Sequence, residues 1–187
     1  MQPSKQDVAS YYGGQESERL IYRPFEEADR KLWEPFFDEV AILGFVGMLS
    51  GPFKTMSSQE RANAWIDRQV ERQKTGSIGQ LAIIEKDSGN FIGVGGIIAR
   101  TDEQTGGEWE VTYALLPPYR GKGYATEQSI HFKNWAFENT SRESLISVVQ
   151  VDNHSSQKVA EKNGMQVEEE MLYFEMNVRI NRVYRNG

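Results

Sequence analysis

Cysteine is absent from the 187 residues. Its absence excludes a disulfide framework, a thiolate nucleophile, zinc–cysteine sites and iron–sulfur clusters. Imidazole is scarce: His131 and His154 are the two histidines, too few for a multi-histidine centre, so no metal is expected. Long apolar runs are also missing. The longest, Ala41–Leu49, is interrupted by glycines and too short to span a bilayer. The polar first stretch has Lys5 as its only early base and does not read as a secretory signal. Positive charge is in deficit, with 21 Lys+Arg against 27 Asp+Glu and a net charge of −6. Nucleic-acid binders carry a basic field to neutralise phosphates, so that class is disfavoured. Neither a membrane nor a nucleic acid is an expected partner, and a cytoplasmic enzyme or binding domain remains. An acidic surface suits cationic amines, but only weakly, because such charge also serves solubility.

What is present is globular. Apolar residues make up 39% and aromatics 11%, enough to offset backbone entropy in a chain of one-domain length. Residues 1–18 hold Gly13-Gly14 and few aliphatics and read as a loose N-terminal arm, leaving 19–187 as a single domain. Leu20–Arg23 is a short strand stopped by Pro24. Phe25 to about Val40 reads as helix, kinked or divided at Pro35. Gly44–Thr55 is a loop in which Phe45, Met48 and Phe53 either wall an acceptor pocket or simply pack. Ser57 and Glu60 form a capping box before a helical stripe of Ala62, Trp65, Ile66, Gln69 and Val70. Strands follow at Leu81–Lys86, Phe91–Arg100 and Glu108–Leu116. A helix from Tyr124 to Asn139, a strand at Leu145–Val151, a short helix ending at Asn163-Gly164 and two closing strands complete the chain.

Gly121-Lys122-Gly123 stands where a strand becomes a helix. Two glycines there let successive N–H groups turn towards one point, and the helix adds its own free amides and dipole. Arg120 and Lys122 add charge. Alone, the loop reads equally as a phosphate nest and as a tight turn. It is not a P-loop, because Lys122 is followed by Gly123, and Thr126 occupies a position where a dinucleotide fingerprint needs Gly or Ala.

The run Pro117-Pro118-Tyr119-Arg120-Gly121-Lys122-Gly123-Tyr124-Ala125-Thr126-Glu127 resembles the acetyl-CoA pyrophosphate motif of GNAT-type N-acetyltransferases, with Pro118 replacing the usual Gln or Arg. The tract from Val151 through Asn153 and Ser156 to Lys162-Asn163-Gly164-Met165 is similar to the branch of ribosomal-protein N-terminal acetyltransferases. The resemblance spans about Arg19 to Arg185. It implies an α/β (α+β) fold with a mixed, mostly antiparallel sheet flanked by helices. It also implies acetyl transfer from acetyl-CoA, as co-substrate, to a primary amine acceptor: a protein N-terminus or a small molecule such as a polyamine or amino sugar. A non-catalytic acyl-CoA-binding domain is the alternative, and a homodimer is left open.

The same resemblance assigns roles. Leu115 and Leu116 would border a splay that admits the pantetheine arm, with an N–H near Leu116 facing the thioester carbonyl. Arg120, Gly121, Lys122, Gly123, Tyr124 and Ala125 would hold the pyrophosphate. Glu110 matches a carboxylate that contacts the amine and acts as general base, with Glu108 as fallback; its bland reading is a solvated strand residue. Ser156 would assist the departing thiolate or cap its helix, and Asn153 would bond the pantetheine or cap the same helix. Ala160 stands where many members have a tyrosine acid. Tyr113 reads as a core position, His131 as a packed or surface position, and His154 as surface.

Overall fold

Residues 4–18 are ordered, contrary to the expected arm. The computed structural model describes residues 4–38, 53 and 55–186, and in it Lys5–Tyr12 form helix α1. The Asp7 amide donates to Ser4 Oγ (3.1 Å) and the Ser4 amide to Asp7 Oδ2 (2.8 Å), a reciprocal cap. Tyrosines rather than aliphatics anchor this segment. Tyr11 is fully buried, with its ring 4.8 Å from that of Trp135 and 5.9 Å from that of Phe132. Its hydroxyl donates to Gly79 O (2.7 Å) and accepts from the Ile97 amide (2.8 Å). Gly96 makes room for that hydroxyl, which would lie 2.3 Å from a Cβ at this position.

Strand β1, Gln15–Glu16, pairs with β2, Leu20–Arg23. The stretch expected as helix kinked or divided at Pro35 does divide there, into α2, Asp29–Trp33, and a 3-10 turn, Glu34–Asp38. Pro35 has no N–H to continue the α ladder. Trp33 stacks on Phe36 at 4.0 Å, and both are fully buried. Val40 and nearly all of the Gly44–Thr55 loop, including Phe45 and Met48, lie outside the described residues; Phe53 is buried.

Helix α3, Ser58–Lys74, starts at the expected box, with the Ser57 amide donating to Glu60 Oε2 at 2.8 Å. It buries Ala62, Ile66 and Gln69. Strands β3 (Gln80–Glu85), β4 (Phe91–Ala99) and β5 (Trp109–Leu115) follow. After a 3-10 turn at Pro117–Tyr119 come α4 (Tyr124–Asn139), β6 (Ser144–Gln150), α5 (His154–Lys162), β7 (Gln166–Tyr173) and β8 (Met176–Tyr184).

The eight strands lie in the order β1-β2-β3-β4-β5-β6-β8-β7. Every neighbouring pair is antiparallel except β5–β6. That parallel pair follows from its connection, since a crossover helix is the usual way to bring the chain back in the same direction. Helices α1, α4 and α5 share one core with Tyr11, Trp109, Phe132 and Ala160, while α2 and α3 share another with Trp33, Ile66, Val94 and Ala114. The middle strand β4 is therefore buried along its whole length. Among the described residues, no helix is long and apolar enough to cross a membrane.

Candidate active site

Strands β5 and β6 are in register at one pair only, Glu110 opposite Ile146. Beyond it they part, and side chains bridge the opening. Ser147 Oγ donates to Val111 O (3.1 Å), and the Val148 amide donates to Glu110 Oε1 (3.1 Å). A cavity of about 150 Å³ opens here. It is lined from one face of the sheet by Trp65, Arg68 and Arg72 of α3, and from the α5 side by Asn153 and Ser156. The gap thus joins the two faces of the sheet.

Glu110 lines this cavity and is buried, which sets aside the reading of a solvated strand glutamate. Its Oε2 lies 2.9 Å from Arg100 Nε. Burial pushes its pKa up, only partly opposed by the Arg100 charge and the Val148 amide. The carboxyl therefore binds a proton more readily than a free glutamate does. Glu108, the fallback, is held instead by Arg182 Nη2 at 2.9 Å and does not line the cavity.

Asn153 caps α5: its Oδ1 accepts from the Ser156 amide (3.1 Å) and from Ser155 Oγ (2.9 Å). This satisfies the capping reading while keeping Asn153 at the cavity wall. Ser156, in the first turn, also lines the cavity. Tyr113, read from its alternating neighbours as a packed position, lines the cavity too and donates its hydroxyl to Ser156 O at 3.0 Å. Burial raises its pKa well above the usual tyrosine value, opposed by the Ser156 and Ser147 hydroxyls, so it keeps its proton. Alternation on an ordinary strand hides such a residue, because only the splay turns a core-facing position into a cavity wall. Ala160 is buried in the core, His131 stacks on Tyr22 at 4.7 Å, and His154 is exposed.

At the far end of β5 the amide of Leu116 itself does not face the gap. The Leu116 amide donates to Ile92 O (2.9 Å), so it is spent within the sheet. Antiparallel partners alternate in the side to which they donate. The amides of Tyr113 and Leu115, displaced by odd steps from Leu116, therefore point to the β6 side, where the gap lies. Leu115 O accepts from Arg120 Nε (2.9 Å), which draws that guanidinium back towards the strand.

The glycine loop has the geometry of a nest. Gly121 and Gly123 have φ of 76° and 86°, and Gly123 caps α4 without any side-chain hydrogen bond. The amides of Tyr124 and Ala125 in the first turn remain open to an anion. Glu127, the acid of that turn, is turned away: it accepts from Ser17 Oγ (2.7 Å), the Arg19 amide (2.8 Å) and Arg19 Nε (2.7 Å). Arg19 also donates to Lys122 O (2.9 Å) and lies over the Tyr124 ring, pinning the loop from behind. Lys122 Nζ sits 5.2 Å above the Tyr119 ring. The role of Arg19 was invisible in sequence, because its partners lie about a hundred residues away.

Residues 19–166 match the family described as acetyltransferase (GNAT) domain. The chain belongs to the GNAT acetyltransferase family. A curated relative, the uncharacterized N-acetyltransferase YjdG of Bacillus subtilis (strain 168), is 30% identical over 95 residues, covering 51% of this chain and 55% of the relative. The chain thus spans about half the length of the curated relative it matches. The ribosomal-protein-S5-alanine acetyltransferase of Vibrio fischeri shares the fold at a TM-score of 0.70 and 18% identity, over 92% of this chain and 97% of that one. The spermidine N-acetyltransferase of Vibrio cholerae, solved with CoA and spermine, does so at 0.68 and 14%, over 91% and 98%. At these identities the two structures speak for the GNAT fold, the mixed and mostly antiparallel architecture described above. Among the described residues, no group of three or more His, Asp or Glu could hold a metal ion.

Proposed function

We propose that this GNAT protein transfers an acetyl group from acetyl-CoA to a primary amine, acting in the cytoplasm. The observation that carries the reading is the buried Glu110 carboxyl, held in a cavity where β5 and β6 part. A cavity-lining carboxyl whose pKa is raised by burial is the kind of group that proton transfer uses. The residues present suit the co-substrate. The uncapped turn at Gly121–Ala125 offers amides to the pyrophosphate, and the Tyr113 and Leu115 amides face the gap that would take the pantetheine arm. Acetyl-CoA supplies an activated thioester carbonyl. Glu110 takes the proton from the ammonium, directly or through a water, so that the nitrogen lone pair can attack. The N–C bond forms, the C–S bond breaks, the Ser156 hydroxyl gives its proton to the departing thiolate, and the second proton lost by the nitrogen as the amide forms restores that hydroxyl. The Tyr113 amide, which faces the gap from the cavity wall and lies nearer to Glu110 than the Leu115 amide does, is the donor to the developing oxyanion. The acceptor is a peptide α-amine or a small amine.

The direct test is thiol release from acetyl-CoA across a panel of peptides, polyamines and aminoglycosides. Amine-dependent release supports transfer; tight CoA binding with no release on any amine returns the protein to a binding role. Ser156→Ala should lower kcat roughly tenfold to a hundredfold, the low end of general-acid effects, with little change in the KM for acetyl-CoA. The α5 cap should survive, because it uses the Ser156 amide and not its hydroxyl. Unchanged kcat in a Ser156→Ala protein would remove the hydroxyl from the mechanism.

A further inference from the structure

Three guanidinium groups line the cavity, those of Arg68, Arg72 and Arg100, against the single carboxylate of Glu110. This is unexpected in a chain of net charge −6. Glu110 is already engaged by Arg100, which also has Asp102 at 4.0 Å. Among the described residues no carboxylate pairs with Arg68 or Arg72. Of their acidic neighbours on α3, Asp67 is bound to Arg30 at 2.7 Å and Glu71 is exposed. Arg72 Nη1 donates to the neutral Gln69 Oε1 (3.1 Å), and Arg68 lies 5.0 Å above the Phe53 ring at the exposed mouth.

The arrangement is unfavourable without a ligand. Like charges four residues apart on a helix repel. Burial depresses the pKa of Arg72, and the nearby Arg68 and Arg100 charges add to the effect. The indole N–H of Trp65, another wall residue, has no hydrogen-bond partner among the described residues. Positive charge is in surplus among the described wall residues, even though one neutral acceptor, Gln80 Oε1, is also unpartnered there.

We propose that Arg68 and Arg72 anchor a carboxylate of the acceptor, so that the preferred acceptor is a primary amine carrying its own acidic group. The proposal rests on the acetyl-transfer reading and names its substrate class. These arginines are not an extension of the pyrophosphate nest. They belong to the α3 face, beside Glu110, whereas the nest follows the other end of β5 on the α4 face, roughly 17 Å further along the strand at 3.3–3.4 Å per residue. A cavity of about 150 Å³ takes a group of benzene size, enough for a short acidic side chain or a small amino acid. The same charges do a second service. A cationic wall disfavours the ammonium form and raises the neutral, nucleophilic fraction of the amine.

The test compares thiol-release kcat/KM for matched acceptors: C-terminally amidated peptides beginning Ala-Asp, Ala-Asn or Ala-Lys, glutamate against glutamine α-amide, and spermidine. A carboxylate-bearing acceptor should exceed its neutral amide twin by about tenfold to a hundredfold, as expected for hydrogen bonds between charged partners. Whether the Ala-Asp peptide or glutamate is better identifies a peptide or a free amino acid as the source of the carboxylate. Arg68→Gln and Arg72→Gln should each shrink the preference and leave the KM for acetyl-CoA in place. Arg72→Gln should melt no lower than the wild type, which a purely structural arginine would not allow. Equal rates within each pair, a preference for spermidine or the Lys peptide, or a preference that survives both substitutions overturns the anchor. Absence of turnover on every amine would overturn transfer itself, and calorimetry with N-acetylaspartate and N-acetylasparagine α-amide then decides the anchor alone. Binding of the aspartate form that weakens in Arg72→Gln upholds it; equal binding, or none, overturns it.

Discussion

Glu110→Gln should lower kcat/KM for the amine at neutral pH by roughly a hundredfold to ten-thousandfold, the range of general-base effects. The substitution keeps shape and can keep the bond from the Val148 amide, but it cannot take a proton. Burial holds the folded pKa of Glu110 above its ordinary value of 4.5. Only the ionised form is a base, so the acidic limb of the wild-type pH–rate profile should lie above the ordinary carboxylate range. That limb should vanish in the variant. Activity should partly recover as pH rises, because solvent then deprotonates the amine; an α-amine near ~7.7–8.0 recovers earlier than a lysine-like amine near ~10.4. The stability effect runs in the opposite sense. A raised folded pKa means that the native state holds this proton more tightly than the unfolded chain. Its contribution is fully present below about 4.5 and is lost as pH rises through the folded pKa, a loss that Glu110→Gln should not show. Acetyl-CoA affinity should hardly move. Profiles of kcat/KM against pH for both proteins decide the matter, and a wild-type profile in the variant would end this role for Glu110. Glu108→Gln serves as control and should leave the acidic limb in place, since Glu108 is committed to Arg182.

Gly123→Val should weaken CoA binding at least a hundredfold while the chain stays folded. The side chain itself meets little: a Cβ at Gly123 comes within 3.4 Å of Arg19 Nη2 alone. The difficulty is the backbone. A φ of 86° is left-handed, a region that costs an L-residue roughly 1–2 kcal/mol, and β-branching makes it worse. The loop would relax to another conformation and carry the amides of Tyr124 and Ala125 out of convergence. Loss of two hydrogen bonds to a charged group, at about 1.5–3 kcal/mol each, amounts to a hundredfold or more. The strain is small beside a typical folding free energy of about 5–15 kcal/mol. Arg120→Ala should be milder, because that guanidinium is turned back to Leu115 O. Calorimetric titration with CoA and a thermal melt together measure both effects. Wild-type affinity in folded Gly123→Val would relocate the pyrophosphate.

Much of the fold is local and was therefore legible. The Ser57–Glu60 box and the Gly121–Gly123 loop each announce an element through residues within a few positions of one another. Three things were hidden, for three reasons. The first helix carries its burial on tyrosines, which a search for aliphatic stripes passes over. The β7–β8 turn uses Phe174 and Glu175 at φ of 45° and 67°, so the Asn-Gly signal that marks such hairpins is absent. The splay is a relation between strands, and it alone decides that Tyr113 lines a cavity and that Leu115, rather than Leu116, offers an amide. Glu110 was visible because glutamate is out of place mid-strand; Arg100 and Arg72 were not, since arginine on a strand end or helix face raises no question.

The Tyr11 hydroxyl holds a place that a backbone carbonyl would otherwise fill. The Ile97 amide, in the most buried strand of the sheet, is protected by a residue near the start of the chain. Hydrogen exchange at Ile97 should thus follow the undocking of α1, even though its neighbours in β4 wait for global unfolding. Terminal fraying is usually silent in the interior of a protein; here it reaches the middle of the sheet through one phenol.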